Sequence, residues 1–209
     1  MIFYDCATAP SPRRARMVIA EKGLDIDTRQ IDLRAGEQLG EAFRAINPRC
    51  TVPVLVTDDG TTLTENIAIA AYLEDIQPDP PLFGTSHTDR ALVFQWNAIA
   101  EAQGGMAMAE ALRNGSPAMA GRALPGPLNL DQIPELAVRG RKRIEAFKGM
   151  MDAHLADRDW IALDQFSYAD LTTFVFLDYL RVIKMGIDEA HPNLAAFMER
   201  VRERPSAAA

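Results

Sequence analysis

Two short stretches hold the residues whose types and spacing could do chemistry. The first is 47–66, NPRCTVPVLVTDDGTTLTEN. Val52-Pro53 leads into the apolar run Val54-Leu55-Val56, and a proline is tolerated at the first residue of a strand, where no ladder donor is needed. Asp59-Gly60 is a hairpin turn signal between two apolar runs. Thr64, Glu65 and Asn66 then open a helix whose apolar stripe is Ile69, Tyr72, Leu73 and Ile76. An extended edge thus lies beside a helix N-terminus. An edge can pair with a peptide main chain, and the free N–H groups of a helix start can hold a carboxylate. A small acidic peptide satisfies both.

The second stretch is 4–16, YDCATAPSPRRAR, with the hydroxyls of Tyr4, Thr8 and Ser11 and the thiol of Cys6. Ser11-Pro12 reads as a helix start, with Ser11 as N-cap and Pro12 at the first helical position. Ser11 is equally placed to donate a hydrogen bond to a ligand. Arg13, Arg14 and Arg16 oppose the helix dipole, so at least one is expected to face an anion, in a ligand or on an acidic surface. Cys6 and Cys50 read as small buried hydrophobes or as redox-active thiols, the latter requiring an exposed thiolate.

The elements that must position these groups follow from periodicity. Ile2-Phe3-Tyr4 starts a strand, a helix runs from about Pro12 to Lys22 with Gly23 as its stop, and 26–33 reads as a second strand. Leu39, Phe43 and Ile46 mark a helix ended by Pro48. The order is β-α-β-α-β-β-α, a thioredoxin-like α/β arrangement expected over 1–78. Pro78, Pro80 and Pro81 form a stiff linker. All of 86–209 reads as helical: Leu92, Trp96 and Ile99 mark one helix, bent at Gly104-Gly105. Ile133, Ala137, Gly140, Ile144, Phe147, Met151 and Leu155 form a long stripe, and Leu194, Phe197, Met198 and Val201 the last. Ser167 and Asp170 make a capping-box variant before a buried-looking helix, Leu171 to Ile183.

Bulk properties narrow the function. The chain has 209 residues and a net charge of −7, which disfavours a phosphate-backbone partner, so no nucleic acid is expected. Two cysteines are too few for a disulfide scaffold and fit a reducing, cytoplasmic setting. No run of about 18 apolar residues offers a membrane span, and no basic region precedes an apolar stretch at the N-terminus, so no secretory leader is expected. His87, His154 and His191 are far apart, so no metal site is expected.

Val52-Pro53 and Glu65-Asn66, in this order around a strand pair, resemble the glutathione site of the cytosolic glutathione transferases. Ala9-Pro10-Ser11-Pro12-Arg13-Arg14-Ala15-Arg16, with Asp32-Leu33 and Gly36-Glu37-Gln38, is most similar to a bacterial and fungal, theta-like subgroup. The resemblance implies a thioredoxin-like domain plus an all-α domain contributing the electrophile pocket. It also implies glutathione as co-substrate, a hydrophobic electrophile and a homodimer. By the same resemblance the Val52 main chain pairs with the cysteinyl unit, usually beside a cis Pro53, with Thr51 adjoining. Glu65 and Asn66 hold the γ-glutamyl amine and carboxylate, Asn66 standing where the family has Ser. Gln38 and Arg49 reach the glycine end. Ser11 is the first catalytic candidate and Tyr4 the weaker one; the subgroup also uses a water held by fourth-helix residues, whose equivalents here are Ala109, Arg113 and Asn114. Met106, Met108 and Met119 face the second substrate or the core. The implied reaction is attack of the glutathione thiolate on the electrophile. Alternatives are a glutathione-dependent disulfide oxidoreductase using Cys6 or Cys50, and a noncatalytic binding protein.

Overall fold

β1 (Ile2–Asp5) is the strand around which the N-terminal part is built. It pairs in parallel with β2 (Asp27–Gln30) and antiparallel with β3 (Val54–Val56). β3 pairs antiparallel with β4 (Thr62–Leu63), giving the order β2-β1-β3-β4. A parallel pair needs a crossover connection, and α1 (Pro10–Glu21) supplies it. A 3-10 turn (Glu37–Leu39) and the single turn α2 (Glu41–Arg44) join β2 to β3, and α3 (Asn66–Ile76) follows β4. This is a thioredoxin-like arrangement. The structure is a computed structural model describing all residues, Met1–Ala209.

β1 and β3 bury residues on both faces of the sheet, while β2 is exposed. Tyr4, Ile31, Phe43 and Val54 form one core cluster, and Met17 and Val18 of α1 with Ile69 and Leu73 of α3 are fully buried. The expected α3 stripe needs two corrections. Ile76 is exposed, and Glu74 is buried instead because it pairs with the buried Lys22, whose Nζ lies 2.5 Å from its carboxylate. The same Nζ donates to the carbonyls of Pro78 and Pro80, so the proline segment is held by α1. The strand expected over 26–33 is shorter, and α1 starts two residues before Pro12.

Two compact units result. The first is Met1–Pro80 with 124–128 and Ala209; the second is Pro81–Ala123 with 129–208. The second is all-helical: α4 (His87–Ile99), a π-helical turn (Ala100–Gly105), α5 (Met106–Gly115), α6 (Pro134–His154), α7 (Tyr168–Tyr179) and α8 (Pro192–Arg202). Gly104 and Gly105 lie in the π-helical turn because aromatic rings rest on their backbone. A Cβ on Gly104 would meet Phe147 at 2.7 Å and one on Gly105 would meet Phe176 at 2.6 Å. The face of α4 that is buried runs through Val93 and Asn97, one position on from the expected Leu92 and Trp96. Ile133 is exposed at the head of its stripe, while Leu194, Phe197, Met198 and Val201 are all buried. The Ser167–Asp170 box opens α7 at Tyr168 rather than Leu171, and a 3-10 turn (Leu180–Ile183) ends it.

Candidate functional site

The ladder between β1 and β3 ends at Tyr4–Val54, so Val52 lies outside the paired register. The Val52-Pro53 bond is cis. Asn47 sets up this segment. It is 1% exposed, and its Nδ2 donates to the Thr51 carbonyl at 2.8 Å and to Thr51 Oγ1 at 3.1 Å. Its Oδ1 accepts from the Arg49 N–H at 3.0 Å. Cys50, between them, has a left-handed backbone, φ 54°. The sequence showed Asn47-Pro48 as a helix end, and nothing in it disclosed that the amide would organise the four residues that follow.

Glu65 is the N-cap of α3 but its side chain caps nothing, and the first turn contains no acid. The N–H groups of Ala68 and Ile69 go to the Glu65 carbonyl. Those of Asn66 and Ile67 are left for an anion. The Glu65 carboxylate is 63% exposed and pairs with Arg49 at 2.8 Å. A surface pair of this kind is worth about 0–1 kcal/mol, so a ligand ammonium can take Arg49's place at little cost.

The start of α1 differs from the expected capping arrangement. Ala9 is the N-cap and Pro10 the first helical residue, so Ser11 is inside the first turn and its side chain is not a cap. Pro10 and Pro12 have no N–H, and the Ala9 N–H goes to the Cys6 carbonyl at 3.0 Å. The Ser11 N–H is the main-chain donor that remains in that turn. Ser11 Oγ accepts from Asn66 Nδ2 at 2.8 Å, which joins the start of α1 to the start of α3. Asn66 thus directs its donor at Ser11, where the sequence reading had it donating to a ligand carboxylate.

The loop 6–9 is fastened from below. Asp5 is 1% exposed, and its two oxygens accept from Arg16 Nη1 and Gln30 Nε2, both at 2.6 Å. Arg16 also donates to the carbonyls of Cys6 and Ala7, and Gln30 Oε1 accepts from the Ala7 N–H at 3.0 Å. The anion expected opposite an arginine of α1 is therefore Asp5 of the same chain. Joining residues 11 and 25 positions apart, this network had no local sequence signal.

Other expected residues fall as follows. Tyr4 packs edge-on against Phe43 in the core. Gln38 is half-buried, its Oε1 without a partner, and the exposed Arg49 makes the ion pair described above. Cys6 and Cys50 are 8% and 2% exposed, and Cys6 Sγ lies 3.6 Å from Thr8 Oγ1. In the helical unit Arg113 donates to the Arg122 carbonyl, and Asn114 links the Glu110 carbonyl to the Ile133 N–H. Met108 is buried, Met119 half-buried and Met106 exposed. No cluster of three or more potential metal ligands occurs, and no helix is long and apolar enough to cross a membrane.

The family model described as glutathione S-transferase, N-terminal domain, matches residues 8–76, and that of the C-terminal domain matches 128–205. Glutathione S-transferase 2 of Saccharomyces cerevisiae is 32% identical over 99% of this chain and 87% of its own length. The chain belongs to the glutathione S-transferase family. Glutathione S-transferase GstA of Escherichia coli O157:H7 is 30% identical over 91% of this chain and 88% of its own. Among solved structures, a glutathione S-transferase domain-containing protein of Marinobacter aquaeolei superposes with a TM-score of 0.90 at 31% identity, covering 99% of both chains. Glutathione is the co-substrate of this family, and the chain is a glutathione transferase.

Within this transferase, Asn47 offers a test of the turn before Val52. Asn47→Ala strands the Thr51 carbonyl and the Arg49 N–H and loosens the strand-forming edge. Glutathione affinity is expected to fall about tenfold, the worth of one misaligned hydrogen bond. Calorimetric titration measures it; an unchanged affinity would detach this turn from glutathione binding.

Proposed function

We propose that this transferase conjugates the glutathione thiolate to a hydrophobic electrophile. The observation that carries the reading is the segment at Val52, outside the β1–β3 ladder, next to the uncapped N-terminus of α3, to which Arg49–Glu65 ties it. In this reading the cysteinyl main chain pairs with Val52. The γ-glutamyl carboxylate lies on the N–H groups of Asn66 and Ile67, and its ammonium on Glu65. Thr51 and Pro53 shape the edge, and Gln38 and Arg49 serve the glycine carboxylate. The thiol then faces the start of α1, where Ser11 offers a hydroxyl and an N–H.

The energetics are attainable with few groups. A free thiol has a pKa of about 8.5, and lowering it by about two units needs roughly 2.7 kcal/mol of preference for the thiolate. A hydrogen bond to a charged acceptor is worth about 1.5–3 kcal/mol, and the helix start adds about 0.3–1 kcal/mol. The thiolate then attacks the electrophilic carbon, and the displaced group or the adjoining π bond takes the electron pair. We assign the electrophile to the apolar surface of the helical unit, and, with the family, a homodimer in the cytoplasm.

The deciding measurement is a glutathione titration followed by the ultraviolet absorbance of the thiolate across pH. The bound thiol is expected to titrate about two units below the free one. Calorimetric binding without that signal would make the protein a noncatalytic binder. The disulfide-exchange reading requires one of two buried thiols to become exposed. With both replaced, Cys6→Ser and Cys50→Ser, conjugation is expected to stay within about twofold, since buried thiols are inert. Loss of activity in that variant would return cysteine to the mechanism.

A further inference from the structure

We infer that Asn66 is a positioning residue that fixes the direction of the Ser11 hydroxyl proton, making Ser11 a donor to the glutathione sulfur. The inference rests on the reading that the thiol lies at the start of α1. Asn66 is 3% exposed, and its Nδ2 lies 2.8 Å from Ser11 Oγ, across 55 residues of sequence. Its Oδ1 is buried without a partner. In this orientation the amide nitrogen donates and Ser11 Oγ accepts.

The consequence lies in the hydroxyl. Ser11 Oγ has one proton and two lone pairs. With one lone pair taken by Asn66, the proton must point away from it. A serine at position 66 could either donate to or accept from Ser11, leaving that direction open. An amide N–H only donates, so the replacement of the family's Ser by Asn imposes a polarity on the contact. Because Pro10 and Pro12 have no N–H, the hydroxyl and the main-chain N–H of Ser11 are the donors offered by this turn. Donors fixed in advance toward a developing charge stabilise it without reorganising. The thiol proton leaves to solvent; Ser11 keeps its own proton, shared with the sulfur.

The test is a double-mutant cycle read as the pKa of bound glutathione, at saturating glutathione, by thiolate absorbance. Asn66→Leu keeps the shape of the side chain and removes both polar atoms. It is expected to raise the bound thiol pKa by about one unit, a tenfold loss of thiolate below that pKa. Ser11→Ala is expected to raise it at least as far, and the double variant no further than Ser11→Ala alone. Asn66→Asp is expected to raise it more than Asn66→Leu, because the carboxylate draws the Ser11 proton to itself, and part of that rise should vanish in the Ser11→Ala background. Should the leucine variant fail to fold, the same cycle run with Asn66→Asp decides the matter. Additive shifts, or a parent-like pKa in Asn66→Leu while Ser11→Ala moves it, overturn the role of Asn66. If Ser11→Ala itself leaves the pKa unchanged, the placement of the thiol at α1 falls, and the inference with it.

Discussion

Replacing Asp170 with alanine is expected to destabilise the fold by about 3 kcal/mol, because each buried donor left without a partner costs about 1–3 kcal/mol. Asp170 is fully buried at the start of α7, and it accepts from the Ile161 N–H at 2.7 Å, the Ser167 N–H at 2.9 Å and the Ser167 hydroxyl at 2.6 Å. Alanine strands all three, and relief from burying a carboxylate offsets only part of the loss. For a chain of this size the melting temperature should fall by about 6–12 °C. A loss below about 1 kcal/mol in denaturant unfolding would show that water or neighbouring groups replace the carboxylate.

The same residue has a signed pH dependence. Burial pushes its carboxyl up from 3.8 to about 6, against the pull of its three donors. A folded pKa above the unfolded one means that the contribution is fully present below about pH 4. It is lost as pH rises through about 6. An asparagine does not titrate, so the stability cost of Asp170→Asn is expected to be largest near pH 4 and to shrink towards pH 7. Comparing parent and variant cancels the carboxylates of opposite behaviour, such as Asp32 and Asp89, which hydrogen bonds hold below their ordinary range. A cost that grows with pH would mean that the donors outweigh burial and that the carboxyl is depressed.

The second large effect is on binding. Glu65→Ala is expected to weaken glutathione binding about 10- to 100-fold, the worth of a hydrogen bond to a charged group at about 1.5–3 kcal/mol. Stability should move by less than about 1 kcal/mol, because the side chain is exposed, caps nothing and loses only a surface pair with Arg49. This separation makes the outcome readable: a variant that unfolds at the parent's temperature yet fails to bind has lost a ligand contact. Unchanged affinity would remove the γ-glutamyl ammonium from Glu65. An intermediate check is salt, since a contact this exposed should weaken as ionic strength rises.

Much of the architecture was legible because it is written in local signals. The apolar run Ile2-Phe3-Tyr4, the turn at Asp59-Gly60, the cluster Pro78, Pro80 and Pro81, and the Ser167–Asp170 box each act within a few residues. Boundaries were less legible where two local rules competed. Ser11-Pro12 satisfied the rule for a helix start, yet the helix begins at Pro10, which meets only its proline half, and the Cys6 carbonyl, by taking the Ala9 N–H, is part of the turn that starts there. The exposure of Ile76 and the burial of Glu74 reversed a hydrophobic stripe because Lys22, from another helix, neutralises the acid.

What the sequence determined by itself was the order of elements, and it set the expectation of a site made of an edge, a helix start and an acid. Only the tertiary structure decided which polar groups are already spent. Arg16 is held by Asp5 and Gln30 shares that acid; Asn47 is used on the turn before Val52, and Asn66 on Ser11. Periodicity reports which face of an element is buried. A hydrogen bond between residues 55 positions apart depends on how α1 and α3 pack against each other, and no local pattern in a chain encodes that distance.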